Sequence, residues 1–91
     1  MIKVELYPSL SHCIKAVARE ELNKAVCCLL SGENTVSETE EKVEILRLFL
    51  ENANFEKLRV ESEDLLLKGK RVKFVIYLEG SNLKCEMLVP G

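Results

Sequence analysis

The sequence predicts a two-layer α+β domain, a four-stranded antiparallel sheet with two helices on one face, in the order β-α-α-β-β-β. Three observations predict it. Residues 71–89 alternate apolar and polar on either side of Gly80-Ser81; a period of two marks strands with one buried face, and Gly-Ser between two such runs marks a two-residue hairpin. Residues 2–7 alternate in the same way. Residues 10–30 and 37–53 carry apolar side chains three and four apart, the spacing of a helix with one buried face.

Taken in order, Ile2, Val4 and Leu6 share one face of strand one, with Lys3, Glu5 and Tyr7 on the other. Pro8 ends the strand, having no N–H for the ladder. Ser9 is placed to cap helix one, expected from Leu10 to Leu30. Leu10, Cys13, Ile14, Val17 and Ala18 begin its apolar stripe, and Leu22, Ala25, Val26 and Leu29 continue it. Glu21 lies at the margin where the two halves meet. A carboxylate there could work as an acid or base, although a flank residue reaching water is the simpler account. Ser31-Gly32-Glu33-Asn34 ends the helix, with Gly32 in the left-handed position.

Ser37-Glu38-Thr39-Glu40 is a capping box for helix two, which runs to about Asn52. Val43, Leu46, Phe49, Leu50 and Ala53 form its main stripe, while Ile45 and Leu48 point away from it. So broad an apolar surface implies packing on two sides, between helix one and the sheet or against a partner chain. Leu58 and Val60 then alternate with Lys57, Arg59 and Glu61 as strand two. The apolar parity changes before Leu65 and Leu67, so a bulge or short turn is expected between Ser62 and Asp64. Glu61, Glu63 and Asp64 read there as a solvated bend rather than a cation site. Lys68-Gly69-Lys70 turns the chain into the hairpin. Its loop length sets Glu79 against Asn82, Leu78 against Leu83, Ile76 against Cys85, Phe74 against Met87 and Val72 against Val89. Strand order 1-2-3-4 is the first expectation and 2-3-4-1 the second.

Bulk properties bound the function. Ninety-one residues make one domain, residues 1–91. No long uncharged apolar run is present, so no membrane span is expected. The chain opens on a strand rather than a secretory leader, which places it in the cytoplasm with Cys13, Cys27, Cys28 and Cys85 reduced. Cys13 and Cys85 fall on expected core faces. Fourteen glutamates against the single Asp64, and no Gln, follow a compositional trend of heat-adapted proteins. No C-x-x-C spacing, glycine-rich phosphate loop or Ser/His/Asp grouping occurs, so no cofactor, metal or catalytic residue is assigned, and a non-enzymatic role is preferred.

Three functional classes remain. The first is an interaction domain that self-associates or binds a protein partner. It would use outward-facing Tyr7, Val75, Tyr77 and Leu88 of the sheet together with Ile45 and Leu48. The second is a nucleic-acid module using Lys68, Lys70, Arg71 and Lys73, with Tyr77 to stack on a base; the net charge of −2 stands against it. The third is an anion or small-molecule site at the first strand–helix junction, made by Ser9, Ser11 and His12.

Overall fold

A computed structural model of the chain describes residues 2–32 and 36–90, apart from the side chains of residues 36 and 37. The elements are β1 (Lys3–Leu6), α1 (Ile14–Ser31), α2 (Val36–Asn52), α3 (Phe55–Leu67), β2 (Lys73–Glu79) and β3 (Asn82–Leu88). Among the described residues the fold is therefore β-α-α-α-β-β, with three helices and a three-stranded antiparallel sheet in the order β1-β2-β3. It is an α+β fold, but the expected four-stranded sheet with two helices is corrected.

The correction lies in residues 55–67, where a third helix replaces strand two. Leu58 and Val60 alternate over only a few residues. Over the full segment, the side chains turned inward are Phe55, Leu58, Ser62, Leu65 and Leu66, which is helical spacing. Val60 and Leu67, which a strand would have buried, are exposed. The change of parity at Ser62–Asp64 is thus the ordinary progress of a helix, not a bulge. Local chemistry supports it. The Asn54 side chain accepts from the Lys57 N–H at 3.2 Å and caps the helix. Arg59–Glu63 and Asp64–Lys68 form i,i+4 ion pairs at 2.9 and 3.1 Å, and such pairs support helices. At the far end, Gly69 has φ +79. The Lys70 N–H reaches the Leu65 carbonyl and the Gly69 N–H that of Leu66, both at 3.0 Å. That is a Schellman closure, and it depends on a residue tolerant of the left-handed region. Lys68-Gly69-Lys70 is a helix end as well as a turn.

Neither expected strand order survives. With residues 57–61 helical, the place beside β2 is taken by β1, as Lys3 meets Tyr77, Val4 meets Ile76, Glu5 meets Val75 and Leu6 meets Phe74. The hairpin keeps its expected register from Lys73–Leu88 to Glu79–Asn82. Gly80 has φ +65 and Ser81 is not in the positive-φ region, the pattern of a type II′ turn.

The helix boundaries also shift. Helix α1 starts at Ile14, not Leu10, because residues 9–12 close a turn of their own: Ser9 N–H donates to the His12 carbonyl at 2.8 Å and His12 N–H to the Ser9 carbonyl at 3.2 Å. Gly32 closes α1 as expected, its N–H bonded to the Cys28 carbonyl. Helix α2 begins at Val36, so Ser37 lies inside it; its capping hydroxyl, and the Glu33-Asn34 part of the preceding turn, lie outside the described residues.

The core gathers Val4 and Leu6 of β1, Ile14 and Ala18 of α1, Ile45, Leu46 and Phe49 of α2, and Val72, Phe74 and Ile76. Helix α2 packs on all three strands and on α1. With neighbours on more than one side, both Ile45 and Leu46 are fully buried. Phe49 meets Phe55 edge to face at 5.2 Å between ring centres, joining α3 to the core. Cys13 and Cys85 are both exposed, contrary to expectation. Cys13 stands at the N-cap of α1, ahead of its buried face, and Cys85 lies on an edge strand.

Two stability outcomes follow. Phe49→Ala removes a fully buried ring and its partner contact, and should cost about 3–5 kcal/mol in urea unfolding. Asn54→Ala should cost about 1 kcal/mol by the same measurement if it caps α3; no loss would contradict the cap.

Candidate interaction surfaces of the sheet

The outward face of the sheet is built by three strands in register. Lys3, Tyr77 and Lys84 form one row; Glu5, Val75 and Glu86 form the next; Lys73 and Leu88 continue with Tyr7 just past the end of β1. Alternation along each strand puts these side chains opposite the core. The rows are cross-linked by polar groups. Lys73 Nζ lies 3.4 Å from Glu5 Oε1, and the Tyr7 hydroxyl donates to Glu5 Oε2 at 3.1 Å. The Tyr77 hydroxyl donates to Glu86 Oε1 at 3.2 Å, and Lys3 Nζ sits 5.0 Å from the Tyr77 ring centre. Val75, at the middle of this lattice, is only 6% exposed. Partial burial of Tyr77, then its hydrogen bond to Glu86 and the charges of Glu86 and Glu79, push the phenol above its ordinary value.

Of the six residues expected to form an apolar contact surface, the structure brings Tyr7, Val75, Tyr77 and Leu88 to one face but does not join them into an open patch. Tyr7 and Leu88 remain exposed, at 57% and 43%, with Lys73 between them. Ile45 is fully buried in the core, and Leu48 is half-buried on α2, so neither extends the sheet surface.

The open features of the sheet are its edges. Among the described residues, no segment pairs with the outer side of β3, seven residues long and largely exposed. Beside its inward face, a groove of about 440 Å³ is lined by Leu83, Cys85 and Met87 of β3, Phe74 of β2, Phe49 of α2, and Lys57, Leu58 and Glu61 of α3. Cys85 is exposed as a residue, yet burial on the groove side, with the Glu61 and Glu86 carboxylates nearby, pushes its thiol up to about 11. Sequence reasoning misses this groove because residues 57–61 of its α3 wall alternate like a strand. The Asn54 cap and the i,i+4 charge pairs were the signals that could have found it.

The edge of β1 is shorter, four residues long. A second groove, of about 660 Å³, runs beside it between Ile2–Glu5 and the α1–α2 pair. Glu21 stands there 3.5 Å from both Lys24 and Lys42, a flank carboxylate tying α1 to α2.

The other candidate sites are placed as follows. Ser9, Ser11 and His12 are exposed in the turn before α1. The Ser9 hydroxyl accepts from the His12 N–H at 3.1 Å and lies 3.2 Å from that of Ser11. His12 Nε2 is 3.1 Å from Glu20 Oε1, so an acid already occupies one side of the proposed anion position. In the basic turn, Lys68 and Lys73 are paired with Asp64 and Glu5, while Tyr77 is flanked by Lys3 and Glu86. Among the described residues, no three His, Cys, Asp or Glu side chains gather as a metal site, and no helix is long and apolar enough to cross a membrane.

A protein-family model matches residues 2–89, nearly the whole chain. The chain belongs to this family, which is uncharacterised. No curated protein and no solved structure gives a match.

The Cys85 thiol provides a check on the groove. Its alkylation by iodoacetamide, followed by peptide mass mapping, should keep accelerating with pH to near 11, because the thiolate is the reacting species. A plateau near the ordinary thiol value of about 8.5 would contradict its placement.

Proposed function

We propose that the chain is a cytoplasmic assembly domain, making protein–protein contacts through its sheet. The observation that carries this reading is the open edge of β3. An edge strand offers a row of unpaired N–H and C=O groups, and proteins commonly cover or blunt such edges. Here the strand is long, its inward face borders a groove of mixed lining, in which Phe49, Leu58 and Phe74 stand with Lys57 and Glu61, and neither Pro nor a bulge interrupts residues 82–88. The exposed Tyr7 and Leu88 at one end of the outward face give further apolar area for a partner. Four free thiols suit a reducing compartment.

The outward face itself is a weaker candidate for the main contact. Val75 is already covered, and the charges of Lys3, Glu5, Lys73 and Glu86 have partners within the chain. A partner docking there would have to displace or match that lattice.

The test is chemical cross-linking in intact cells producing the tagged chain at native level, followed by intact-mass analysis. A discrete cross-linked species containing the chain, reduced when β3 is altered by Met87→Lys, is the expected outcome. Recovery of the monomer alone under conditions that cross-link a known assembly would overturn the proposal.

A further inference from the structure

We infer that the occupant of the β3 edge is a second copy of this chain, paired antiparallel about a two-fold axis at Cys85 to make a continuous six-stranded sheet. The inference rests on the assembly reading and specifies its partner and register.

The hydrogen-bonding phase of β3 is fixed by the hairpin. Glu79 and Asn82 flank the two-residue loop and so form a hydrogen-bonded pair. Alternation then turns the backbone groups of Lys84, Glu86 and Leu88 toward β2 and those of Leu83, Cys85 and Met87 toward the free edge. An antiparallel neighbour must match that phase. An axis at Cys85 does so and uses the strand fully, since Cys85 is the midpoint of Asn82–Leu88. Cys85 meets its counterpart, Leu83 meets Met87 of the second copy, and Lys84 meets Glu86 of the second copy.

Charge then selects among the phase-matched registers. Moving the axis to Lys84 sets that lysine against its own counterpart, and moving it to Glu86 sets two glutamates together. Like charges directly opposite are unfavourable in a sheet, and opposite charges are favourable. The axis at Cys85 is the one among these three that makes both cross-copy pairs attractive. It also puts apolar on apolar: Leu83 and Met87 of both copies line up on the inward face, extending the floor of the groove formed with Phe49, Leu58 and Phe74. Because directly opposed residues share a face, the two-fold axis stands perpendicular to the sheet and both helical layers lie on the same side.

The experiment is sedimentation velocity on the full chain under reducing conditions, from low micromolar to about 100 µM. Wild type should move from monomer to dimer. Lys84→Glu and Glu86→Lys should each weaken dimerisation by about tenfold or more, since each sets like charges opposite in two symmetric positions. The double variant K84E/E86K should recover the wild-type dissociation constant, because the pairs are attractive again with signs exchanged. Hydrogen exchange on the unmodified chain gives a readout independent of these substitutions. The amides of Leu83, Cys85 and Met87 should slow as concentration rises, while those of Lys84 and Glu86, already bonded to β2, should not change. A wild-type chain monomeric throughout would overturn the second copy as occupant, and a cross-linked species in cells would then assign the edge to another protein. A dimer insensitive to the charge exchange, or assemblies that grow beyond a dimer, would overturn the two-fold register while leaving assembly standing.

Discussion

The structure depends on β2 being paired on both sides. It alone holds the two ends of the sheet together: β1 comes from the start of the chain and β3 from its end, and neither pairs with the other. Its inward side chains, Phe74 and Ile76, are fully buried, and α2 lies across them. Helix α2 can be apolar on more than one side because it packs on this sheet and on α1 at once. Remove β2 and each remaining strand loses its ladder, α2 loses its floor, and α3 loses the core that Phe49 links it to through Phe55.

What the sequence revealed depended on how far each pattern ran. The hairpin was legible because two independent constraints, loop length and facing apolar residues, agreed over seven pairs. The α1–α2 pair was legible in kind because its spacing persisted over four or more turns, although the starts moved by a few residues where Ser9–His12 formed a separate turn. Residues 57–61 mislead because a five-residue window cannot separate the two periods. Leu58 and Val60 are two apart, which suits a strand, but only Leu58 belongs to the buried set. The deciding evidence lay further off, in Asn54 as a cap, Gly69 as a helix end, and the i,i+4 charge pairs between them.

The surface was less legible than the core, and for a different reason. Alternation assigns Tyr7, Val75, Tyr77 and Leu88 to one face, but it treats each residue as present or absent from a patch. Whether Val75 is open depends on where four long charged side chains lie. Glu5 reaches Lys73 and Tyr7, and Glu86 reaches Tyr77, so the lattice closes over it. Ile45 shows the converse: its departure from the main stripe was visible, but the alternatives of a second internal neighbour and an external partner have the same sequence pattern.

The charges on β3 bear on whether its edge is defended or used. Lysines on an edge strand oppose pairing when an incoming strand brings like charge or buries them. A lone cation on β3 would do so in a two-fold arrangement, because symmetry brings the same charge to meet it. Lys84 with Glu86, spaced evenly about Cys85, has the opposite effect: the symmetry that would set like against like instead exchanges the signs. The same two residues discourage the neighbouring registers, in which each meets itself. Evenly spaced opposite charges are thus poor protection against a second copy and good discrimination among the ways it could bind. The inward face points the same way. Leu83, Cys85 and Met87 are not the buried lysines or prolines that blunt an edge; they are small or flexible apolar groups, and against a matching row they lose water-exposed area at little steric cost.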